Sequence, residues 1–379
     1  MKYLSSIIIA GMFLMIGGSL FAAEPDATQK NKWEDQRKEM IAKGVEYLRF
    51  LQGENGGFSS TPRAGIGISI IALIGLMESG ISPDDPAVAK GIDYLLKNVH
   101  EDGGIYSPGG RIAIYESCLA VSCLNLARKL GRKNLDEYIK KGEAYIRSQQ
   151  YGEENGTDQE NVYYGGLGYG GKSRPDLSNT QFFMETLHEL GAGPDDEAIK
   201  RALVFVSRCQ NLKTEADLSS PEEKNTDGGF IYTCAGEGES PAGRVEGGLR
   251  SYGSITYAGL KSLIYAGLDE KDPRVKAASG WIRDHYTLTE NPGLGKRGLY
   301  YYYHTMSKTL NVLKKNLFTD KDGNDHYWKG ELIDLLKTAQ NKDGSWVNDN
   351  RMWMENDPGL ITGYVLIVLA YCAEDRSEK

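Results

Sequence analysis

The chain is 379 residues long, with 46 Gly but only 12 Pro, and with 40% apolar and 25% charged residues. This composition excludes a disordered or collagen-like chain and leaves a globular protein with many tight turns. Lys and Arg number 44 against 52 Asp and Glu, a net charge of −8 with no long basic run, which argues against nucleic acid and anionic membrane surfaces as main partners.

Met1 and Lys2 precede an apolar run over 4–21, then Ala22, Ala23 and the polar stretch EPDATQKNK. The pattern predicts a secretory signal over 1–23, a single mature domain over 24–379 and export to the periplasm or the medium. Nothing further along resembles a membrane span, so none is expected after cleavage. The five cysteines are too few and too scattered for a disulfide framework. Cys118 and Cys123 lie five apart on a predicted helix and face different ways, so buried thiols are expected.

Six repeats then follow in order. KGVEYLRFLQGENGGF (43–58) returns as KGIDYLLKNVHEDGGIY (90–106), KGEAYIRSQQ (141–150), RALVFVSRCQ (201–210), KAASGWIRDHY (276–286) and KGELIDLLKTAQNKDGSW (329–346). The equivalent points Gln52, Val99, Gln150, Gln210, Tyr286 and Gln340 lie 47, 51, 60, 76 and 54 residues apart. In each unit an amphipathic helix ends near this position, and a Gly-aromatic turn leads into a more apolar helix. The turns are GGF (56–58), GGIY (103–106), GGLGY (165–169), GGF (228–230), GLY (298–300) and GSW (344–346). The second helices lie at 67–77, 115–127, 181–190, 255–267, 307–315 and 361–371. One helix with a wet face and a partner apolar nearly all round are what the outer and inner rings of a closed all-α barrel require. An open solenoid would call for polar end caps.

This repeat resembles the QW repeat of squalene–hopene and other triterpene cyclases, within the wider (α/α)6 toroid family that includes the β subunits of protein prenyltransferases. The resemblance covers all six units and implies an all-α (α/α)6 toroid. RPDLSNTQFFMETLHELG, GGFIYTC and RSYGSITYAGLKSLIYAGL are similar to exported bacterial prenyltransferase- or squalene-cyclase-repeat proteins.

In such a barrel the inner-helix N-termini face the mouth of a central cavity. The residues expected there are Arg63, Tyr115, Glu116, Asp176, Ser178, Asn179, Gln181, Arg250, Tyr252, Ser254, Tyr302, Tyr303, His304, Glu355 and Asp357. Asp176, Ser178 and Asn179 are equally well placed to cap a helix. Cyclases of the resembled family that protonate an alkene carry Asp-x-Asp-Asp-Thr, the middle Asp being the acid. Here Asp176-Leu177-Ser178-Asn179-Thr180 puts a hydroxyl in the acid's place, and a hydroxyl is too weak an acid to generate a carbocation. The prenyltransferases hold zinc with Asp-x-Cys and a His; His304 matches the His, but Arg250-Ser251-Tyr252 replaces the other ligands. No metal and no cofactor is therefore expected.

What remains is His304 and Tyr303 with Asp176 as acid–base candidates, and Arg250, Tyr252, Asn179, Gln181, Tyr302, Glu116 and Arg63 as ligand-binding candidates. The segment Asp320–Glu331 resembles a calcium loop except that Asp325 stands at the sharp-turn glycine. The sequence thus predicts an exported toroid that binds, with or without transforming it, an isoprenoid or other lipid in a central cavity. The alternatives are a polysaccharide-active toroid enzyme with Arg250 and Asp176 open to solvent, and a non-catalytic interaction protein whose pore is plugged by Tyr and Phe.

Overall fold

The computed structural model describes residues 24–59, 65–171, 173–213 and 225–374, so the expected signal over 1–23 and Arg63 lie outside the described residues. Among the described residues six outer helices, α1 (Ala27–Leu51), α3 (Pro86–Leu96), α5 (Asp136–Ser148), α7 (Glu197–Arg208), α9 (Pro273–His285) and α11 (Trp328–Ala339), alternate with six inner ones. The inner helices are α2 (Gly67–Glu78), α4 (Ala113–Lys129), α6 (Leu177–Glu189), α8 (Gly253–Tyr265), α10 (Leu299–Val312) and α12 (Pro358–Tyr371). Each inner helix packs against the next, and α12 returns to α2, so the ring is closed.

The two rings differ as their sequences require. The outer α3 buries only Val88, Gly91, Ile92 and Leu95, the i, i+3, i+4, i+7 stripe of a helix lying on a core. The inner α12 is buried without a break from Gly359 to Ala370. The seam between α12 and α2 is tight because glycines meet there: a Cβ on Gly75 would lie 2.7 Å from the Gly363 carbonyl oxygen.

One hydrogen-bonded device holds successive units together. The side-chain amide of Gln150 donates to the carbonyls of Gly165 in its own turn and Ala198 in the next outer helix, both at 2.9 Å. Gln52, Gln210 and Gln340 repeat the arrangement. The turn then presses on that outer helix: Gly165 has φ +81°, and a Cβ there would lie 1.8 Å from the Arg201 carbonyl oxygen. An inner-helix hydroxyl fixes the end of the turn, as Thr180 Oγ1 accepts from the Leu167 N–H at 3.1 Å, and Ser69, Ser117, Thr256 and Thr362 do the same in other units. At Val99 and Tyr286 no amide is present; Tyr286 instead donates its hydroxyl to Glu331 at 2.9 Å.

One sequence expectation needs correction. The fifth inner helix begins at Leu299, not near 307, so the tyrosine run lies inside α10 and the GLY segment is its start, with Gly298 as the N-cap. The calcium-like segment is a hairpin of β3 (Leu317–Thr319) and β4 (Asp325–Tyr327), in which Asp320 and Glu331 both bind His326, at 3.2 and 2.9 Å. The second small hairpin joins β1 (Arg244–Val245) to β2 (Gly248–Leu249). All five cysteines are free thiols, and all but Cys234 are buried.

The seam yields a paired test. Gly75→Ala should destabilise by about 2–3 kcal/mol through overpacking against backbone. Gly280→Ala, mid-helix in α9 with open space around its Cβ position, should stabilise by about 0.5–1 kcal/mol. Urea unfolding of both variants checks this, and equal effects would show that the seam is not sterically closed.

Candidate functional site

Because the inner helices run parallel, their N-termini converge at one end of the barrel, where the first N–H groups of each lack partners within the helix. Four of the residues expected at the mouth, Glu116, Asp176, Glu355 and Asp357, supply those partners, and Asn291 joins them. Asp176 caps α6, its carboxylate accepting from the Asn179 N–H and the Asn179 side-chain amide, both at 2.8 Å. Glu116 reaches across from α4 to the start of α2, accepting from the N–H groups of Ile66 at 2.8 Å and Gly67 at 3.2 Å. Asn291 accepts from the Ser254 N–H, Glu355 from the Tyr301 N–H at 2.8 Å, and Asp357 from Gly359 and Leu360.

Within this capped ring lies a cavity of about 450 Å3. Its walls are largely aromatic: Tyr115 and Phe182 meet edge to face at 5.3 Å, Tyr301 stands 6.3 Å from Phe182 and 6.2 Å from Tyr364, and Tyr169, Tyr232 and Tyr252 continue the wall. Ser178 points inward, its Oγ 3.3 Å from the Tyr301 hydroxyl. Met352, Trp353 and Met354, each more than a third exposed, edge the opening. Trp353 and Met354 both take positive φ, 55° and 62°, a strained conformation for bulky residues. The Trp353 ring fits because Gly298 has no side chain; a Cβ there would lie 2.3 Å from it.

A second cavity of about 500 Å3 occupies the other end of the barrel, and Phe182 borders both. A layer of rings, Phe182, Tyr301, Tyr364 and His304, lies between them.

The expected site residues therefore do not converge. Tyr252 lines the mouth cavity. Asp176, 2% exposed, lies behind the wall of Tyr169 and Tyr232. His304 borders the far cavity, so it does not share a chamber with any partner that Asp176 could serve; the acid–base grouping expected of them is not assembled. Tyr302 and Tyr303 turn away from the axis and donate their hydroxyls to the carbonyls of Thr287 and Leu288. Along α10 the residues that face the two cavities are Tyr301, His304, Lys308, Asn311 and Val312, the first four an i, i+3, i+7, i+10 series, and this face excludes Tyr302 and Tyr303. Arg250 is exposed in the segment after the β1–β2 hairpin and lines neither cavity. Glu116 and Asn179 serve as described in capping, and Gln181 is fully buried outside both linings.

Sequence reasoning missed Tyr169, Tyr232, Tyr301, Trp353 and Tyr364. A helix start set at Leu299 would have selected Tyr301 by periodicity. Tyr169, Tyr232 and Trp353 sit on connecting loops, where no period identifies them.

Burial pushes the Asp176 carboxyl up to about 6 and that of Glu355 up to about 7, although hydrogen bonds from Asn179 and from the Tyr301 N–H oppose the shift. A carboxyl raised in the folded state holds its proton more tightly there. It favours folding below the unfolded value of about 4 and loses that contribution as pH rises through the folded value. The melting temperature of Glu355→Gln, which keeps an acceptor for α10, should accordingly fall less between pH 4.5 and 7.5 than that of the parent chain; identical slopes would show that Glu355 ionises freely.

No family profile matches the chain. The squalene–hopene cyclase of Zymomonas mobilis is 26% identical over 207 residues, 49% of this chain and 31% of that protein, so the match spans under a third of the relative's length. The type II terpene cyclase MstE from Scytonema, in complex with merosterolic acid A, superposes with a TM-score of 0.55 at 12% identity over 90% of this chain and 98% of that one. A D-mannose isomerase superposes with a TM-score of 0.56 at 10% identity over 92% and 99%. At these identities the likeness is one of fold: the chain is built on a closed (α/α)6 toroid similar to that of the terpene cyclases.

Proposed function

We propose that this is an exported protein that binds an isoprenoid-type apolar ligand in the mouth cavity. The observation that carries the reading is the wall itself, in which Tyr115, Tyr169, Phe182, Tyr301 and Tyr364 enclose about 450 Å3 at one end of the barrel. Aromatic faces offer apolar area at low entropic cost and follow the contours of a branched hydrocarbon. A MstE variant holds geranylgeranyl dihydroxybenzoate, which supports the same ligand class on this fold. The charged Met1–Lys2 start and the apolar run that follows support export. Among the described residues no helix is long and apolar enough to cross a membrane.

Protonation-initiated cyclisation is not the reaction proposed. Ser178 holds the position of the resembled cyclases' acid and hydrogen-bonds Tyr301. Glu355 borders the cavity, but its oxygens are engaged by the Tyr301 N–H and by Asn348, the latter at 2.6 Å. Neither group supplies an unencumbered strong acid aimed at a ligand.

Equilibrium dialysis with all-trans-geranylgeraniol tests the reading. Saturable binding with one equivalent per chain is expected, recovered unchanged in mass and retention. Trp353→Ala, which removes one half-exposed wall of the opening, should weaken it about tenfold, or about 1.4 kcal/mol. Absence of saturable binding by the folded parent chain would sink the proposal.

A further inference from the structure

The far cavity is more polar than the mouth: among aliphatic and aromatic side chains it carries Glu78, Glu185, Glu189, His304, Lys308 and Asn311. It lies at the C-terminal ends of the inner helices, and His188, Lys129 and Lys314 at its rim are exposed, so it opens to solvent away from the mouth. Its volume of about 500 Å3 falls within the ~300–1,000 Å3 span of small-molecule sites.

The buried charge at its centre is already matched, and burial pushes the carboxyl of Glu189, on the same wall, up towards its neutral form. Glu185 on α6 is held between Lys261 on α8 and Lys308 on α10, with side-chain exposures of only 5%, 1% and 11%. Lys308 also stands 5.8 Å from the Tyr371 ring centre, and Lys261 6.0 Å from that of Tyr265. A charged ligand would have to break such buried pairs, at a cost that an imperfect replacement does not recover. A neutral ligand would leave them intact.

What the cavity does leave open is directional and uncharged. His304, 2% exposed, borders it with an Nδ1 that has no hydrogen-bond partner. Burial and the neighbouring Lys308 hold this imidazole neutral by lowering its pKa well below the usual value, so each ring nitrogen is either a donor or an acceptor. A buried polar atom left without a partner is rare and costly. The amide of Asn311 faces the same space, set among the rings of Phe182, Tyr265 and Tyr371 and aliphatic side chains such as Ile71, Ile264 and Ile367. Apolar ring faces alternating with hydrogen-bonding groups complement a molecule with C–H faces and a hydroxylated rim.

We infer that the far cavity is a second binding site, for a neutral polyhydroxylated ring of monosaccharide or cyclitol size, held by His304 and Asn311 against Tyr265 and Tyr371. This site is independent of the apolar ligand proposed for the mouth, from which the ring layer separates it.

Saturation-transfer NMR on the full mature chain tests this, with D-glucose, D-mannose, D-galactose and myo-inositol as neutral probes, and D-glucuronate and D-glucosamine as charged ones. At least one neutral probe should show saturable transfer at millimolar concentration and bind at least fivefold more tightly than either charged probe. His304→Ala should weaken that probe at least fivefold. Val312→Trp, a half-buried position on the cavity wall, should abolish its binding while geranylgeraniol still binds as in the parent chain. No transfer from any neutral probe, tighter binding of a charged one, or undiminished binding in a folded Val312→Trp chain would overturn the inference. Loss of geranylgeraniol binding alone would count against the mouth and leave this site standing.

Discussion

Six helices running the same way around a ring impose one constraint on everything else in this molecule: all their unpaired N–H groups gather at one end and all their unpaired carbonyls at the other. The chain answers at the first end with acceptors. Glu116, Asp176, Asn291, Glu355 and Asp357 each engage backbone N–H groups at an inner-helix start, where the helix dipole also favours negative charge. At the second end Lys308, Lys129 and Lys314 carry the sign that carbonyl ends prefer, but Glu78, Glu185 and Glu189 line the same space. The polar ring at the mouth is thus a backbone requirement before it is a functional one.

Once the caps are accounted for, little polar capacity remains at the mouth. Carboxylates sit close behind the aromatic wall, yet their oxygens are taken by N–H groups and amides. The space they frame is dominated by ring faces, with Ser178 and Tyr301 as a polar spot and Arg297 and Glu239 also in its lining. At the far end the buried Lys–Glu–Lys cluster links α6, α8 and α10. It fixes their relative register, because each partner would be left uncompensated if one helix slipped.

The fold was legible because the repeat is written in residues that do the same job in each copy. Gln52, Gln150, Gln210 and Gln340 recur in sequence because the same amide joins the same two carbonyls each time, and a side chain with so specific a duty has few substitutes. The fifth unit was misread because Tyr286 replaces the glutamine and a long connection precedes α10, so the helix start at Leu299 had no repeat signal to mark it. The site was legible only as a region. Polar residues at helix starts look alike whether they bind a ligand or a backbone N–H, and Asp176 and Glu116 turned out to do the latter. Tyr302 and Tyr303 have the same chemistry as Tyr301, and only the rotation of α10 decides which of them sees the cavity. Trp353 reaches the opening from a loop whose path depends on Gly298, 55 residues earlier, a coupling that no local pattern contains.

The α12–α2 seam bears on how the molecule assembles. Its contacts join residues such as Gly75 and Gly363, and the outer layer repeats the long reach where the Trp33 indole meets Asp334 at 2.9 Å. Most other helix contacts are between sequence neighbours and form cheaply, but these close a loop of about three hundred residues, whose entropy must be overcome before any seam contact rewards it. During synthesis the apolar flank of α2 has no lasting partner until the final helix has left the ribosome, so an unclosed crescent with a sticky edge is the species most exposed to aggregation and proteolysis. Ring closure, rather than the formation of any single repeat, is then the step that separates a vulnerable chain from a finished one.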